Sequence, residues 1–412
     1  MSRRVMRVPA AILAGARLAL AVPVGYLAVL TGAAWLATAT RRRASRPPAT
    51  GTTRFAVLVP AHNEEPVIGA ALEALAAVDY PAENYRVHVI ADHCIDRTVE
   101  ISRGAGVEVH EHAGERRGKG PALAWVIRTL LDAPTGEAPD VVVVVDADTI
   151  VDKEFLQEVE RVIVAGASAV QGQYRVRDPD TSAAAGLRAA ALAARHHLRP
   201  LGRTALGASS GLYGNGMAFT SSVLRGRQWS GHLTEDIEFQ MELLLDGIRV
   251  AYAPEAIVEA EMPSTLEDAV TQNERWERGR IEMARRYIPR LAGATLTRSS
   301  GNRAATADAI LDHLVPPLSV LGTAVGAVGI ASAAVSGRAG GRAGLVLCAV
   351  LGAHVTSALV LAGAPASVYR SLVHAPGMVL WKVRLWLRML AGPGEGGWVR
   401  TAHRGAPEDG AP

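Results

Sequence analysis

The sequence predicts an α/β domain with a mainly parallel sheet, flanked by transmembrane and interfacial helices. Three observations predict it. Strand-like and helix-like stretches alternate from Phe55 onward, the pattern of a parallel sheet covered on both faces. Residues 141–145 are five consecutive valines, and an apolar run without polar alternation is a strand buried on both sides. Residues 18–40, 314–335 and 344–366 carry no Asp, Glu, Lys or Arg, and each run reaches the ~20 residues that cross a bilayer.

Composition narrows the function classes. A chain of 412 residues holds one large domain plus additions. Its 43 basic against 40 acidic side chains give no argument for nucleic acid. Cys94 and Cys348 lie far apart, so they make neither a disulfide framework nor a metal pattern, and a reducing cytosol suits the bulk of the chain.

The elements follow in order. Residues 18–40 read as an uncleaved membrane anchor. A cleaved signal peptide is the competing reading, but the run exceeds an ordinary signal core and a basic linker follows it. That linker, with Arg41, Arg42, Arg43 and Arg46, places its end on the cytoplasmic side. Arg3, Arg4, Arg7 and Arg17 on the other side weaken the bias. Residues 55–60 form the first strand, and Pro66 suits the first turn of a helix running to about Ala77. Residues 86–91 form the second strand, ending at Asp92. A helix through Ile101 follows, stopped by Gly104 and Gly106. Residues 107–110 are the third strand, a helix spans 121–131, and the valine run is the fourth strand.

These strands end in polar residues: His62, Asn63 and Glu64, then Asp92, then Asp146 and Asp148. Parallel strands put such ends on one edge, where open α/β sheets bind ligands. Asp146 and Asp148 stand at i and i+2, so an extended chain points both the same way. The first strand lacks the G-x-G-x-x-G loop of a dinucleotide site. The GERRGKG loop is one residue short of a phosphate-cradling Walker loop, with Gly120 where Ser or Thr belongs. An acidic site without either loop fits a divalent ion and a diphosphate, whose hard oxygens suit Mg2+ or Mn2+.

The motifs PAHNEE, ADHCIDRT, RRGKGPALAW, DADT, GLYGNGMAF, LTEDIEF and QNERW occur in this order between Phe55 and Arg280. In this the chain resembles family 2 glycosyltransferases, and most of all the membrane-bound branch of cellulose, hyaluronan and poly-N-acetylglucosamine synthases. The resemblance implies a GT-A (nucleotide-diphospho-sugar transferase) domain, a nucleotide-sugar donor, a divalent metal, Mg2+ or Mn2+, and inversion at the sugar carbon. It implies Pro60 and Glu64 at the start of the nucleotide pocket and Asp92 at the base. Asp146 falls to nucleoside and sugar, Asp148 to the metal, and Lys119 to phosphate or nucleotide. His93 and Cys94 depart from the small polar residues usual there.

The second half supplies the acceptor side. Residues 169–176 alternate like a strand with one polar face. His196 and His197 are adjacent, so they do not share a helix face. The glycines around Asn215 allow close backbone approach, and the resemblance places Asn215 and Gly216 near the acceptor. Thr234 suits a helix cap, with Glu235 and Asp236 at the positive helix end. The resemblance makes Asp236 the general base and Glu235 its support. Gln272, Arg275 and Trp276 stand at i, i+3 and i+4, on one helix face. Arg275 suits a diphosphate bidentately, as does Gln272 the donor side, and Trp276 offers a flat surface for the acceptor.

The expected organisation is an anchor and basic linker over residues 1–50 and a catalytic domain over 51–280. An amphipathic segment over 281–310, a transmembrane hairpin over 311–370, and an interfacial helix with a cytosolic tail over 371–412 follow. Arg338 and Arg342 in the hairpin link run against the usual basic bias. WVRT, residues 398–401, resembles a short cytosolic motif of the family. The reading is a multi-pass enzyme of the plasma membrane with a cytosolic active site. Its partners are a nucleotide-sugar, a carbohydrate or lipid-linked acceptor, membrane lipids, and secretion or accessory membrane proteins. Polymerisation, single transfer to a lipid and a non-catalytic binding scaffold are the functional alternatives.

Overall fold

The computed structural model describes residues 3–41, 48–114, 118–134, 136–227, 229–230, 232, 234–261, 270–297 and 300–391. In chain order the first elements are α1 (Arg3–Arg41), β1 (Phe55–Ala61), α2 (Ile68–Ala76), β2 (Tyr85–Asp92), α3 (Thr98–Gly104), β3 (Glu108–His112), α4 (Lys119–Leu131) and β4 (Val141–Val144). Next come β5 (Thr149–Val151), α5 (Phe155–Val164), β6 (Ala169–Val176), α6 (Ala183–Leu192), α7 (Arg199–Ala205), β7 (Met217–Thr220), α8 (Ser221–Leu224), α9 (Glu235–Leu245) and β8 (Val250–Ala260). The chain continues through α10 (Val270–Thr297), α11 (Ser300–Leu314), α12 (Leu318–Leu361), α13 (Ala366–Ser371) and α14 (Ala375–Ala391).

Two compact units result. One, helical, draws on Met1–Arg43, Pro179–Ala208 and Ala284–Gly396; the other, sheet-based, on Ala44–Asp178 and Ser209–Met283. Residues 179–208, read in the sequence as part of the catalytic stretch, thus group with the terminal helices.

The sheet unit has eight strands in the order β3-β2-β1-β4-β7-β6-β8-β5. The expected mainly parallel sheet is corrected to a mixed one. β3, β2, β1 and β4 run parallel, whereas β7 is antiparallel to both β4 and β6, and β5 to β8. The strands beyond β4 are as buried as those before it, so their apolar patterns carry no mark of direction. Val141 to Val145 are all buried, each stabilising by about 1.5–3 kcal/mol relative to exposure. Their odd members pack with α2 and α5, and Val142 and Val144 with α4 and α9. This alternation across a strand covered on both faces is why the whole run is apolar.

Pairing also places the loops. Val144 lies opposite Met217, so the carboxyl end of β4 adjoins the amino end of β7. DADT therefore meets the loop of residues 211–216. Ahead of β1, buried Glu160 of α5 ties down the linker. It accepts hydrogen bonds from Thr50 Oγ1 and the Gly51, Thr52 and Thr53 amides at 2.9–3.1 Å, and from the Tyr80 hydroxyl at 2.9 Å.

In the helical unit, α1 packs Val24 and Leu27 against Val315, Leu321 and Val325. Gly202 of α7 leaves no room for a Cβ beside the Leu30 backbone. Arg203 Nε donates to Asp308 at 2.7 Å, and the Tyr26 hydroxyl donates to the same carboxylate at 2.9 Å. α12 reverses at Gly337, whose φ is +62°. A Cβ on Gly344 would come within 2.5 Å of the Gly329 Cα, so the two arms of α12 run side by side. Among the described residues, Ala10–Arg41 and Leu318–Leu361 are long and apolar enough to cross a membrane. His196 and His197 fall in this unit, and His197 Nε2 lies 3.2 Å from the Leu361 carbonyl. The WVRT stretch lies outside the described residues.

Candidate active site

The site begins where β4 stops. Ala147 is buried between two partly exposed carboxylates, Asp146 and Asp148. The turn is closed by the Thr149 amide donating to the Asp146 carbonyl at 3.1 Å. Thr149 Oγ1 donates to Asp148 Oδ1 at 3.2 Å. Two carboxylates so close need a counter-charge. Lys119, the first residue of α4, supplies it: its ammonium donates to Asp146 Oδ1 and to the Gly214 carbonyl. Burial alone would lower this ammonium, but Asp146, Glu235 and Asp236 overcome that and hold it above the usual lysine value.

Gly214 links this corner to the TED motif. Its φ is +77°, and a Cβ there would lie 3.5 Å from Asp236 Oδ2 and 3.7 Å from the Lys119 ammonium. Asp236, Lys119 and Asp146 therefore converge on one short stretch of backbone. Asp236 sits in the first turn of α9, and its Oδ1 accepts the Ile237 amide at 2.8 Å. Thr234 was expected to cap this helix. It occupies the capping position but its side chain makes no capping hydrogen bond; it is buried against Gly279 of α10 instead, where any Cβ would collide with it. Glu235 is partly buried beside Asp236, and desolvation first, then that charge, push its carboxyl up to about 7 against the opposing pull of Lys119.

Asn215 and Gly216, which the sequence places near the acceptor, are tied into the loop itself. Asn215 is fully buried: its Nδ2 donates to Thr149 Oγ1 at 2.7 Å and its Oδ1 accepts the Asp146 amide at 3.2 Å. Gly216 is buried with φ +66°, and a Cβ would lie 2.9 Å from Val258. Asn215 thereby holds the loop to DADT. Gln171 and Gln240 complete that hold, accepting the Tyr213 and Leu212 amides at 3.0 and 3.1 Å.

The nucleotide side lies at the ends of β1 and β2. Pro60 is in β1 opposite Ile90. The Glu64 amide donates to Thr98 Oγ1 at 2.8 Å, and its carbonyl accepts the Val67 and Ile68 amides. Asn63 and His93 both take positive φ, 55° and 54°. Such strain in non-glycine residues concentrates at functional sites. Asp92 is buried; burial would raise its carboxyl, but hydrogen bonds from His112, Gly118 and His93 hold it below the usual carboxylate range.

Trp276 of α10 is 36% exposed, three residues before the glycine that packs on Thr234. The side chains of Gln272 and Arg275 lie outside the described residues. Tyr174 of β6 was missed in the sequence. Burial, then the charges of Asp148 and Asp146, push its hydroxyl well above its ordinary value. Its sequence signal is a tyrosine on a strand whose other polar members are Gln171, Gln173 and Arg175.

For a metal, the donor set fits. Asp148 offers a hard carboxylate oxygen at the mouth of a turn, while the neighbouring cation Lys119 pairs with Asp146.

A family model described as glycosyltransferase like family 2 matches residues 53–279, just over half of the chain. The chain belongs to that family. This family-2-like glycosyltransferase is 28% identical to a β-monoglucosyldiacylglycerol synthase of Synechocystis sp. over 231 residues, 54% of this chain and 47% of that protein. It thus spans about half the length of that curated relative. Among solved structures, the mannosyltransferase PcManGT from Pyrobaculum calidifontis, in complex with GDP-Man and Mn2+, shares a TM-score of 0.51 at 20% identity. That alignment covers 87% of this chain and 98% of the other. Glucosyl-3-phosphoglycerate synthase from Mycobacterium tuberculosis, in complex with Mn2+, UDP and product, gives 0.36 at 20% identity over 53% of this chain and 76% of its own. The first of these likenesses bears on fold: the family-2-like chain has a GT-A-like sheet.

Proposed function

We propose that this chain is an inverting, metal-dependent glycosyltransferase that moves one sugar from a nucleotide-sugar, a UDP-sugar in our reading, to the hydroxyl of a lipid or other membrane-proximal acceptor. The observation that carries it is that Asp236 and Lys119 meet at Gly214 while the same Lys119 ammonium holds Asp146. It joins a donor-side acid to an acceptor-side acid in one site.

The chemistry follows from that pairing. The acceptor oxygen bonds to the anomeric carbon from the face opposite the diphosphate. The bond to the diphosphate oxygen breaks and that oxygen takes the electron pair. Asp236 receives the hydroxyl proton, which contributes roughly 10²–10⁴ in rate. A single displacement inverts the carbon. Asp148 would hold Mg2+ or Mn2+, which when bound supplies positive charge to the diphosphate. Lys119 keeps the Gly214 backbone and Asp146 in register, and its charge lies beside the same leaving group. Glu235, neutral or charged near pH 7, tunes the field at Asp236.

Support for a membrane-proximal acceptor comes from two sides. Two described helices are long and apolar enough to span, and the curated relative is named for a glucosyldiacylglycerol product. Processive polymerisation is the second reading, carried by Trp276 and the QNERW motif. Membranes containing the full chain, given a panel of labelled nucleotide-sugars with and without Mn2+, decide between them. Single transfer predicts one discrete, organic-extractable product that needs Mn2+. A ladder of lengthening products would establish the polymerase instead, and donor binding without any product would leave a scaffold.

A further inference from the structure

Away from the catalytic corner, one face of the sheet breaks the rule that built its core. On the side facing α4, β1 and β4 present Leu58, Val142 and Val144, all buried. In register with them, β2 presents His88, Ile90 and Asp92, and the edge strand β3 presents Glu108, His110 and His112. Five of these six are side chains that ligate metals. His88 is buried at 3% exposure, although nothing in the transfer chemistry uses it. Trp125 of α4 packs its ring against both His110 and His112, closing one side of the cluster.

His88, Glu108 and His110 stand apart within this group. His88 Nδ1 lies 3.1 Å from His110 Nε2 and 3.1 Å from Glu108 Oε2. The ligand atoms of all three fall within 4.8 Å of one another. A ring nitrogen carries at most one proton, so Nδ1 serves both neighbours only by splitting one hydrogen bond between them. A cation at their centre satisfies all three at once. Tetrahedral ligands about 2.0–2.1 Å from Zn2+ are separated by about 3.3 Å, close to the two distances from His88 Nδ1, while the third pair lies within 4.8 Å.

The neighbouring group of Asp92, His93 and His112 is different. There Asp92 Oδ1 accepts from His93 Nδ1 at 2.7 Å and from His112 Nδ1 at 2.8 Å, and Oδ2 accepts the Gly118 amide at 2.8 Å. Each close contact is already a donor with an acceptor, and the cluster is complete as a hydrogen-bonded unit.

We propose that His88, Glu108 and His110 form a second cation site, for a borderline-soft divalent transition metal of the Zn2+ class. Two imidazoles and one carboxylate suit Zn2+ or Co2+, whereas an oxygen site such as Asp148 suits Mg2+ and Mn2+. Three protein ligands leave a fourth position for water, and exposed Glu108 opens the site to solvent. Its effect is to clamp the edge strand β3 to β2, four residues before Asp92.

The test uses the purified full-length protein, stripped with chelator and kept in excess Mg2+ so that the oxygen site is occupied. Co2+ is titrated in and followed by visible absorption. One equivalent is expected to give a saturable band, removed by one equivalent of Zn2+. His110→Ala and Glu108→Ala, both on the edge strand, should each weaken Co2+ binding at least about tenfold, while His112→Ala leaves it unchanged. Melting of the metal-free variants checks that they fold, and exposed Glu108 keeps the test valid should His110→Ala fail. No saturable band in the unaltered protein, or titrations unchanged by both substitutions, would overturn the proposal. So would loss of binding in His112→Ala with binding kept in His110→Ala.

Discussion

Two glutamates, Glu160 buried and Glu235 partly buried, respond to pH in opposite directions, and each reports a different part of the domain. Burial pushes the Glu160 carboxyl up, but hydrogen bonds from Gly51, Thr53 and Tyr80 prevail and hold it at about 2, below the ordinary 4.5. The stabilisation is complete above pH 4.5 and is lost as pH falls toward 2, on the order of 3 kcal/mol. Glu160→Gln should therefore lower stability at pH 7 and flatten the acid limb of a denaturation profile. An unchanged limb would show that the linker is held by something else. Glu235 has the reverse sign. Its folded value near 7 exceeds the ordinary 4.5, so the folded state keeps a proton that the unfolded state releases. Stability should fall as pH rises from 4.5 to about 7, and Glu235→Gln should remove that slope in urea titrations. The order of the motifs, through their resemblance to the family, assigned Asp146, Asp148, Lys119 and Asp236 to one site; taken singly, the same residues read equally as a polar turn, a loop lysine and an acidic helix start. The part Asn215 plays in holding the loop to Thr149 had no sequence mark, because a polar side chain in a glycine loop reads the same whether it faces a ligand or is buried.

At the scale of elements, the start of α4 is the tightest junction near the site. A Cβ on Gly120 would collide with the Ser230 carbonyl oxygen, and Glu235 Cβ lies 3.8 Å beyond. Backbone cannot swing aside as a side-chain tip can. Gly120→Ala is expected to displace Lys119 or the TED turn and to cut turnover by tenfold or more, with a lower melting temperature. Gly104→Ala at the end of α3, where a Cβ meets nothing within 4 Å, is the control and should match the parent or gain up to about 1 kcal/mol. Equal behaviour of the two variants would contradict this junction. Strand and helix identities around this junction were legible, since the valine run and the glycine stops leave little choice. Strand direction was not. β6, β7 and β8 are buried like parallel strands, and the reversal at β7 depends on which ends pair across the sheet, as Val144 does with Met217. A bulge adds to this: Gly172 pairs with Ala253 and Gln173 with Ile257. A Cβ on Gly172 would lie 2.6 Å from the Ala256 carbonyl, so the glycine is there for close approach.

For the whole molecule, the sheet unit carries the proposed chemistry and the helical unit carries the spans suited to a membrane. The two carboxyl-terminal apolar runs both fall within α12, and Gly337 supplies its reversal. The grouping of residues 179–208 with the terminal helices had no sequence mark, because an amphipathic helix looks the same whichever unit it covers. The central claim is that Asp236 is the acceptor-side base in a site whose donor half is built by Asp146, Asp148 and Lys119. The direct measurement compares the full-length protein with Asp236→Asn, reading nucleotide-sugar binding and sugar transfer in the same preparation with Mn2+. Donor affinity is expected within about threefold of the parent and transfer reduced by roughly 10²–10⁴. Transfer unchanged by Asp236→Asn, with donor binding intact, would contradict it.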